Sequence, residues 1–228
     1  MTTTTSTSAA PAAAKTILLT GFEPFNGAAI NPSWEAARAL DGWSGPGFTV
    51  VARQLPCEFG RVNIALLEAV AAVQPDIVIA VGQAGGRPEI SVERVAINVD
   101  DAAIVDNAGA QPVDTAIIAD GPAAYFSTLP IKAIVRALRL RGFPAGVSQT
   151  AGTFVCNHVF YGLMHHAAGS PSLKAGFIHV PFLPEQAADR PERPPSMALK
   201  DIVDGLRIAV EVAVTADEDV AEAGGATH

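Results

Sequence analysis

The 228-residue chain is 49% hydrophobic and 17% charged, which suits one α/β domain with a sizeable core. Fifteen Lys and Arg against 23 Asp and Glu give a formal charge of −8, scattered rather than clustered, which argues against a nucleic-acid partner. The longest apolar runs, such as residues 77–81, are strand-sized and argue against a membrane span.

Residues 1–14 are low in complexity and lack both a basic n-region and a leucine-rich h-region, so a disordered leader on a cytoplasmic protein is expected rather than a secretion signal. A buried strand is predicted over 15–20. Asn31-Pro32-Ser33 starts a helix that runs to Leu40, because proline at the first helical position has φ preset and no donor to lose. A strand follows over 48–55. Helix 59–73 repeats Val62, Leu66, Ala69, Val70 and Val73 at helical spacing. The fully apolar run 77–81 reads as a strand of a parallel sheet covered on both faces. Further strands are predicted over 89–99, 147–150 and 175–180, and helices over 129–142, 154–168 and 196–214. Residues 100–122 carry Asp, Asn, Gly and Pro at turn density, predicting an extended loop or ribbon. The stretch 181–195 holds five prolines and reads as an irregular connection. Alternating strands and helices predict a three-layer α/β/α sandwich with a largely parallel, twisted mixed sheet. A single catalytic domain is expected over 15–215, followed by a flexible acidic tail over 216–228.

Two cysteines, Cys57 and Cys156, in a chain without an export signal read as reduced thiols. Cys156 follows a strand, the small-residue turn Ala151-Gly152 and Thr153, a candidate N-cap. It therefore falls in the first turn of a helix, where unpaired N–H groups favour a thiolate and can hold an oxyanion. Position alone leaves an inert buried thiol as the commoner outcome. Cys57 has no such setting and reads as structural.

A thiol nucleophile needs a base. His158 is two residues from Cys156 and points to another helix face, His165 and His166 lie further along the same helix, and His228 is in the tail. His179 closes the last predicted strand, at the carboxyl edge where functional residues of parallel sheets collect. Glu93 sits in a mainly apolar strand, where an unpaired carboxylate is costly, so it needs either the imidazole of His179 or an arginine as partner.

Together these segments resemble the pyroglutamyl peptidase I (pyrrolidone-carboxylate peptidase) family of cysteine peptidases. The resemblance spans about residues 15–215. It is carried by Leu19-Thr20-Gly21-Phe22-Glu23-Pro24-Phe25, Asn31-Pro32-Ser33, Gly82-Gln83-Ala84-Gly85-Gly86-Arg87, and Glu93-Arg94-Val95-Ala96-Ile97-Asn98. Ser148, Ala151-Gly152-Thr153-Phe154-Val155-Cys156-Asn157-His158 and Ile178-His179-Val180-Pro181 complete it. It implies an α/β/α fold and hydrolysis of the amide bond after an N-terminal pyroglutamyl residue, with Cys156 as nucleophile, His179 as base and Glu93 as the orienting acid. It implies no metal or cofactor, peptides beginning with pyroglutamate as partners, and a homo-oligomer, tetramer or dimer. Phe22 and Phe25, with Val155 and Ile104, match the lining of an apolar slot. Gln83 is the candidate lactam partner and Asn31 the support of the Phe22–Phe25 loop.

The chain departs from the family pattern at Asn26, where glycine is usual, and at Phe154, where tyrosine is frequent; the Cys-to-His interval is also slightly short. Ala103 stands where many relatives carry an arginine that would face the oxyanion, leaving Arg94 and the Cys156 amide as the oxyanion candidates. A phosphate-binding enzyme using the Gly82–Gly86 loop, a catalytically silent relative, and a metal hydrolase using His165 and His166 remain as rival readings.

Overall fold

The computed structural model describes residues 14–188 and 190–225, so the leader expected over 1–14 lies almost wholly outside the described residues. Strand β1 (Lys15–Phe22) leads into α1 (Pro32–Arg38). The helix starts as the Asn-Pro-Ser signal requires: Asn31 is extended and accepts the Ser33 N–H on its side chain, with Pro32 in the first turn. β2 (Ser44–Gly45), β3 (Phe48–Leu55), α2 (Phe59–Val73) and β4 (Ile77–Gln83) follow.

The stretch expected as one strand over 89–99 divides into two. β5 (Ile90–Glu93) and β6 (Val95–Ile97) belong to different sheets, with Arg94 between them. Continuous apolar residues concealed the break: β5 is fully buried and β6 is buried at Ala96, against different layers. The intervening loop closes through a bridge between Asp100 and Thr115, and β7 (Ala124–Phe126) returns antiparallel to β6. The chain then forms α3 (Ile131–Leu140), β8 (Ala145–Ser148), α4 (Val155–Ala168), β9 (Lys174–Val180), α5 (Pro184–Ala188) and α6 (Leu199–Thr215). The proline-rich stretch thus contains a short helix, and the last helix starts three residues later than its periodicity suggested.

The main sheet has seven strands in the order β2-β3-β1-β4-β9-β5-β8. Neighbours are parallel except β2 with β3 and β5 with β9. One face packs α1, α3 and α6 around residues such as Ile79, Val81, Ile178 and Leu206. The other packs α2 and α4 around Val78, Ala80, Phe160 and Phe177. Each of the larger side chains among these contributes about 1.5–3 kcal/mol by leaving water, so the two apolar layers hold the sheet between them. This is an α/β/α sandwich with β4 near its middle, buried on both faces as its unbroken apolar run requires.

Residues 217–225, expected as a flexible tail, run back along α3. The Asp219 carboxylate accepts the Lys132 and Ala133 N–H groups at 3.1 and 2.8 Å, a cap that the Pro130 ring, with no acceptor, cannot provide. Glu222 pairs with Arg136 at 2.9 Å, and the Gly224 carbonyl accepts from Arg94 at 3.0 Å. Among the described residues, no helix is long and apolar enough to cross a membrane.

Candidate active site

Strand register brings the polar side chains together. In the parallel pair β4–β9, Gly82 lies beside His179; in the antiparallel pair β9–β5, His179 lies opposite Ser91. Residues two apart on a strand share a face and diagonal neighbours stay within reach of long side chains. Glu93, two residues beyond Ser91, therefore meets His179, and His179 Nδ1 lies 2.7 Å from Glu93 Oε1. A carboxylate oxygen only accepts, so Nδ1 carries a proton, and in the neutral imidazole Nε2 is then the nitrogen with the lone pair. Both residues are deeply buried, His179 at 3% and Glu93 at 0% exposure.

Cys156 reaches this face from above. The connection from β8 turns at Gly152, whose φ of 77° suits glycine, and its N–H bonds Thr150 Oγ1 at 3.0 Å. α4 then begins at Val155, with Cys156 at its second position. The sulfur fills room left at Gly82: a Cβ added there would come within 2.9 Å of Cys156 Sγ and 2.8 Å of Phe177 Cζ. Because Gly82 is the register partner of His179, sulfur and imidazole lie over adjacent strand positions, about 5 Å apart at the backbone.

The N-cap of α4 differs from the expected one. Phe154 is the cap residue and provides no side-chain hydrogen bond, while the Thr153 hydroxyl donates to the Asp101 carbonyl at 2.7 Å. The first-turn N–H groups of Val155, Cys156 and Asn157 are consequently uncapped donors. The depressed thiol expected from this position is overridden in the resting site. Burial pushes the Cys156 thiol well above its ordinary range, Cys57 and Glu93 add to the effect, and Arg87 opposes it. Burial, with Glu23, Asp106 and Glu58, likewise pushes Cys57 up to about 12.

Glu93 has both of the partners between which the sequence left a choice. Its Oε1 also accepts from Arg87 Nη1 at 2.7 Å. Arg87 further donates to Ser148 Oγ at 3.2 Å and to the Thr150 carbonyl at 2.9 Å. Arg94, adjacent to Glu93 in sequence, does not join the cluster: it donates to Gln149 Oε1 at 2.9 Å and to the Gly224 carbonyl. Sequence reasoning passed over Arg87, although a buried glutamate six residues from an arginine was the available signal.

The remaining candidates lie in varied surroundings. Phe22 is buried, with its ring 6.4 Å from that of Phe177. Phe25 packs 6.0 Å from Phe154, which stands 5.3 Å edge-on to Phe59. Val155 is buried, whereas Ile104 is 37% exposed and Ala103 is exposed on the same loop. Asn31 braces the loop between β1 and α1, donating to the Glu23 carbonyl at 3.0 Å while capping α1. Gln83 meets Gln186, which sequence gave no reason to single out. Gln186 Oε1 accepts the Leu183 N–H, and its Nε2 donates to the Ile30 carbonyl and to Gln83 Oε1 at 2.9 Å. Two backbone groups of opposite kind fix the Gln186 amide, so Gln83 uses its oxygen there and keeps its NH₂ for another acceptor.

Two other histidines have partners of their own. His158 Nδ1 lies 2.8 Å from Asp100 Oδ2, tying α4 to the 98–123 loop. His165 Nδ1 lies 2.9 Å from the Tyr125 hydroxyl and stacks on Tyr161.

A family model described as pyroglutamyl peptidase matches residues 15–216. A pyrrolidone-carboxylate peptidase from Cupriavidus taiwanensis is 64% identical over 215 residues, covering 93% of this chain and 99% of that protein. Another from Klebsiella pneumoniae is 60% identical over 212 residues, covering 93% and 99%. Among solved structures, pyroglutamyl peptidase I from Bacillus amyloliquefaciens aligns with a TM-score of 0.90 at 47% identity, over 92% of this chain and 100% of that one. A mutant pyrrolidone carboxyl peptidase from Pyrococcus furiosus aligns with a TM-score of 0.84 at 44% identity, over 87% and 98%.

Proposed function

The chain belongs to the pyroglutamyl peptidase family and is a peptidase of that kind; from that premise we propose that it releases N-terminal pyroglutamate through Cys156, with His179 as base and Glu93 orienting it. The observation that carries the assignment is the buried Glu93–His179 hydrogen bond beside a sulfur seated over Gly82.

In the proposed cycle His179 Nε2 takes the Cys156 proton as the sulfur attacks the pyroglutamyl carbonyl. Burial, which raises the Cys156 thiol pKa, makes this base necessary for the attack. The uncapped amides at the start of α4 hold the oxyanion, a role that the Ala103 methyl, with no donor, cannot share and that Arg94, bonded elsewhere, leaves to the backbone. His179 then protonates the leaving amine. Water, deprotonated by His179, cleaves the thioester and frees pyroglutamate and the thiol.

The substrate matches the surroundings. Pyroglutamate has no free α-amine, so the slot needs no carboxylate, only apolar walls and neutral hydrogen-bonding groups. Phe22, Phe25, Val155 and Ile104 provide the walls. Gln83, held by Gln186, offers its NH₂ to the lactam carbonyl, and Asn31 holds the loop that carries Phe22 and Phe25. A homo-oligomer in a reducing cytoplasm belongs to the same reading, supported by two free thiols and by exposed Val113 and Phe126.

Hydrolysis of a chromogenic pyroglutamyl amide, with and without iodoacetamide, tests the proposal. Complete loss of release on alkylation of Cys156, with protection by pyroglutamate, is expected. Turnover that survives alkylation would remove the nucleophile, and tight product binding without any turnover would mark a silent relative.

A further inference from the structure

We propose that Arg87 is a positioning residue for this reaction: its guanidinium is the standing counter-charge of Glu93, which lets His179 rest neutral and therefore competent as a base. The inference rests on the assignment of His179 and Glu93 given above.

Two donors converge on one oxygen. Glu93 Oε1 accepts from Arg87 Nη1 and from His179 Nδ1, each at 2.7 Å, while Oε2 receives no hydrogen bond from the described residues. Glu93 has no exposure, so its negative charge must be balanced locally. Arg87 can do this at little cost to itself, since its side chain is 31% exposed and keeps part of its hydration. A guanidinium also stays protonated throughout the working pH range, so its charge does not depend on the state of the imidazole.

The groups facing the Glu93–His179 pair are few. Arg87 comes from the β4–β5 connection and Cys156 from α4, with Cys57, from the β3–α2 connection, acting through Cys156. β8 and the turn after it contribute Ser148 and Thr150, neither of which titrates, and Phe177 on β9 places its ring 4.8 Å from that of His179. Among the described residues, Arg87 is therefore the permanent positive charge in direct contact with the pair.

Without it, a buried carboxylate beside an imidazole becomes neutral only by gaining a proton. Whether that proton sits on Glu93 or on His179, the pair holds it more tightly, as a coupled unit. In either location catalysis suffers, since a protonated Glu93 no longer aligns Nδ1 and a protonated His179 is no longer a base. The bonds of Arg87 to Ser148, from the same nitrogen, and to the Thr150 carbonyl, from the other, hold the guanidinium in place.

The test is the pH dependence of kcat/KM for a pyroglutamyl amide in Arg87→Gln, Arg87→Met and Arg87→Lys, with Glu93→Gln and Cys156→Ala in the same series. In the Gln and Met variants the acidic limb is expected to move to higher pH by about one unit or more, the size of shift that one nearby charge produces. Either neutral variant that folds suffices, and Arg87→Lys is expected to return the limb toward that of the parent. A role confined to bracing the loop predicts equal losses across the pH range with the limb unmoved, and that result overturns the inference. If Cys156→Ala retains activity, the site assignment itself fails and this inference falls with it. If Cys156→Ala is inactive but the neutral variants keep the parental limb, only the role of Arg87 is lost.

Discussion

Gly82 and His179 are register partners on adjacent parallel strands, and the sulfur of Cys156 occupies the space that the absent side chain of Gly82 leaves. A Gly82→Ala methyl would meet both that sulfur and the Phe177 ring. Overpacking of this kind costs about 1–3 kcal/mol of stability. The larger effect is expected on chemistry: displacing the sulfur relative to His179 should lower kcat by about a hundredfold. Steady-state kinetics alongside a thermal melt separate the two effects.

Gln186 fixes the orientation of the Gln83 amide through two backbone groups. Gln186→Leu removes that constraint and leaves the Leu183 N–H without its partner. A rise in KM of about tenfold, with kcat changed less, is expected for a pyroglutamyl amide, in line with about 1–1.5 kcal/mol for one lost hydrogen bond. Equal losses of kcat without a change in KM would place Gln83 outside the substrate slot.

Both thiols ionise only above their ordinary range, which has a consequence for stability. A group that holds its proton more tightly when folded stabilises the fold below its unfolded pKa and loses that contribution as pH rises toward the folded value. For Cys57 the window runs from the ordinary 9.0 to about 12. Thermal melts should therefore show stability falling through that alkaline range, and Cys57→Ala should flatten the fall. Alkylation by iodoacetamide should also accelerate with rising pH, with no thiolate plateau at neutrality.

Asp219 caps α3 from the C-terminal segment. Asp219→Ala is expected to cost about 1 kcal/mol, the usual worth of an N-cap. That corresponds to about 2–4 °C in Tm for a domain of this size, readable by calorimetry. An unchanged Tm would mean that the segment contributes nothing to the fold.

Much of the architecture was legible because burial and hydrogen bonding constrain residue type locally. The Asn-Pro-Ser start of α1, the helical spacing of Val62, Leu66 and Val70, and the apolar run of β4 each follow from local rules. Arg94 shows where such rules end: apolar residues on both sides of it hid a change of sheet, because alternation reports burial and not which neighbour is paired. Thr153 was the better N-cap by residue type, yet its hydroxyl bonds Asp101 and the cap falls on Phe154. The candidate site was legible residue by residue, but the meeting of Glu93 with His179 depends on the antiparallel pairing of β5 with β9, a long-range register. For the same reason Arg87, not the adjacent Arg94, reaches Glu93.

The most direct measurement is the rate of pyroglutamate release by Cys156→Ala and Cys57→Ala under identical conditions. The expected result is background hydrolysis in the first and most of the parental rate in the second. Substantial release by Cys156→Ala would contradict a thioester mechanism at the head of α4.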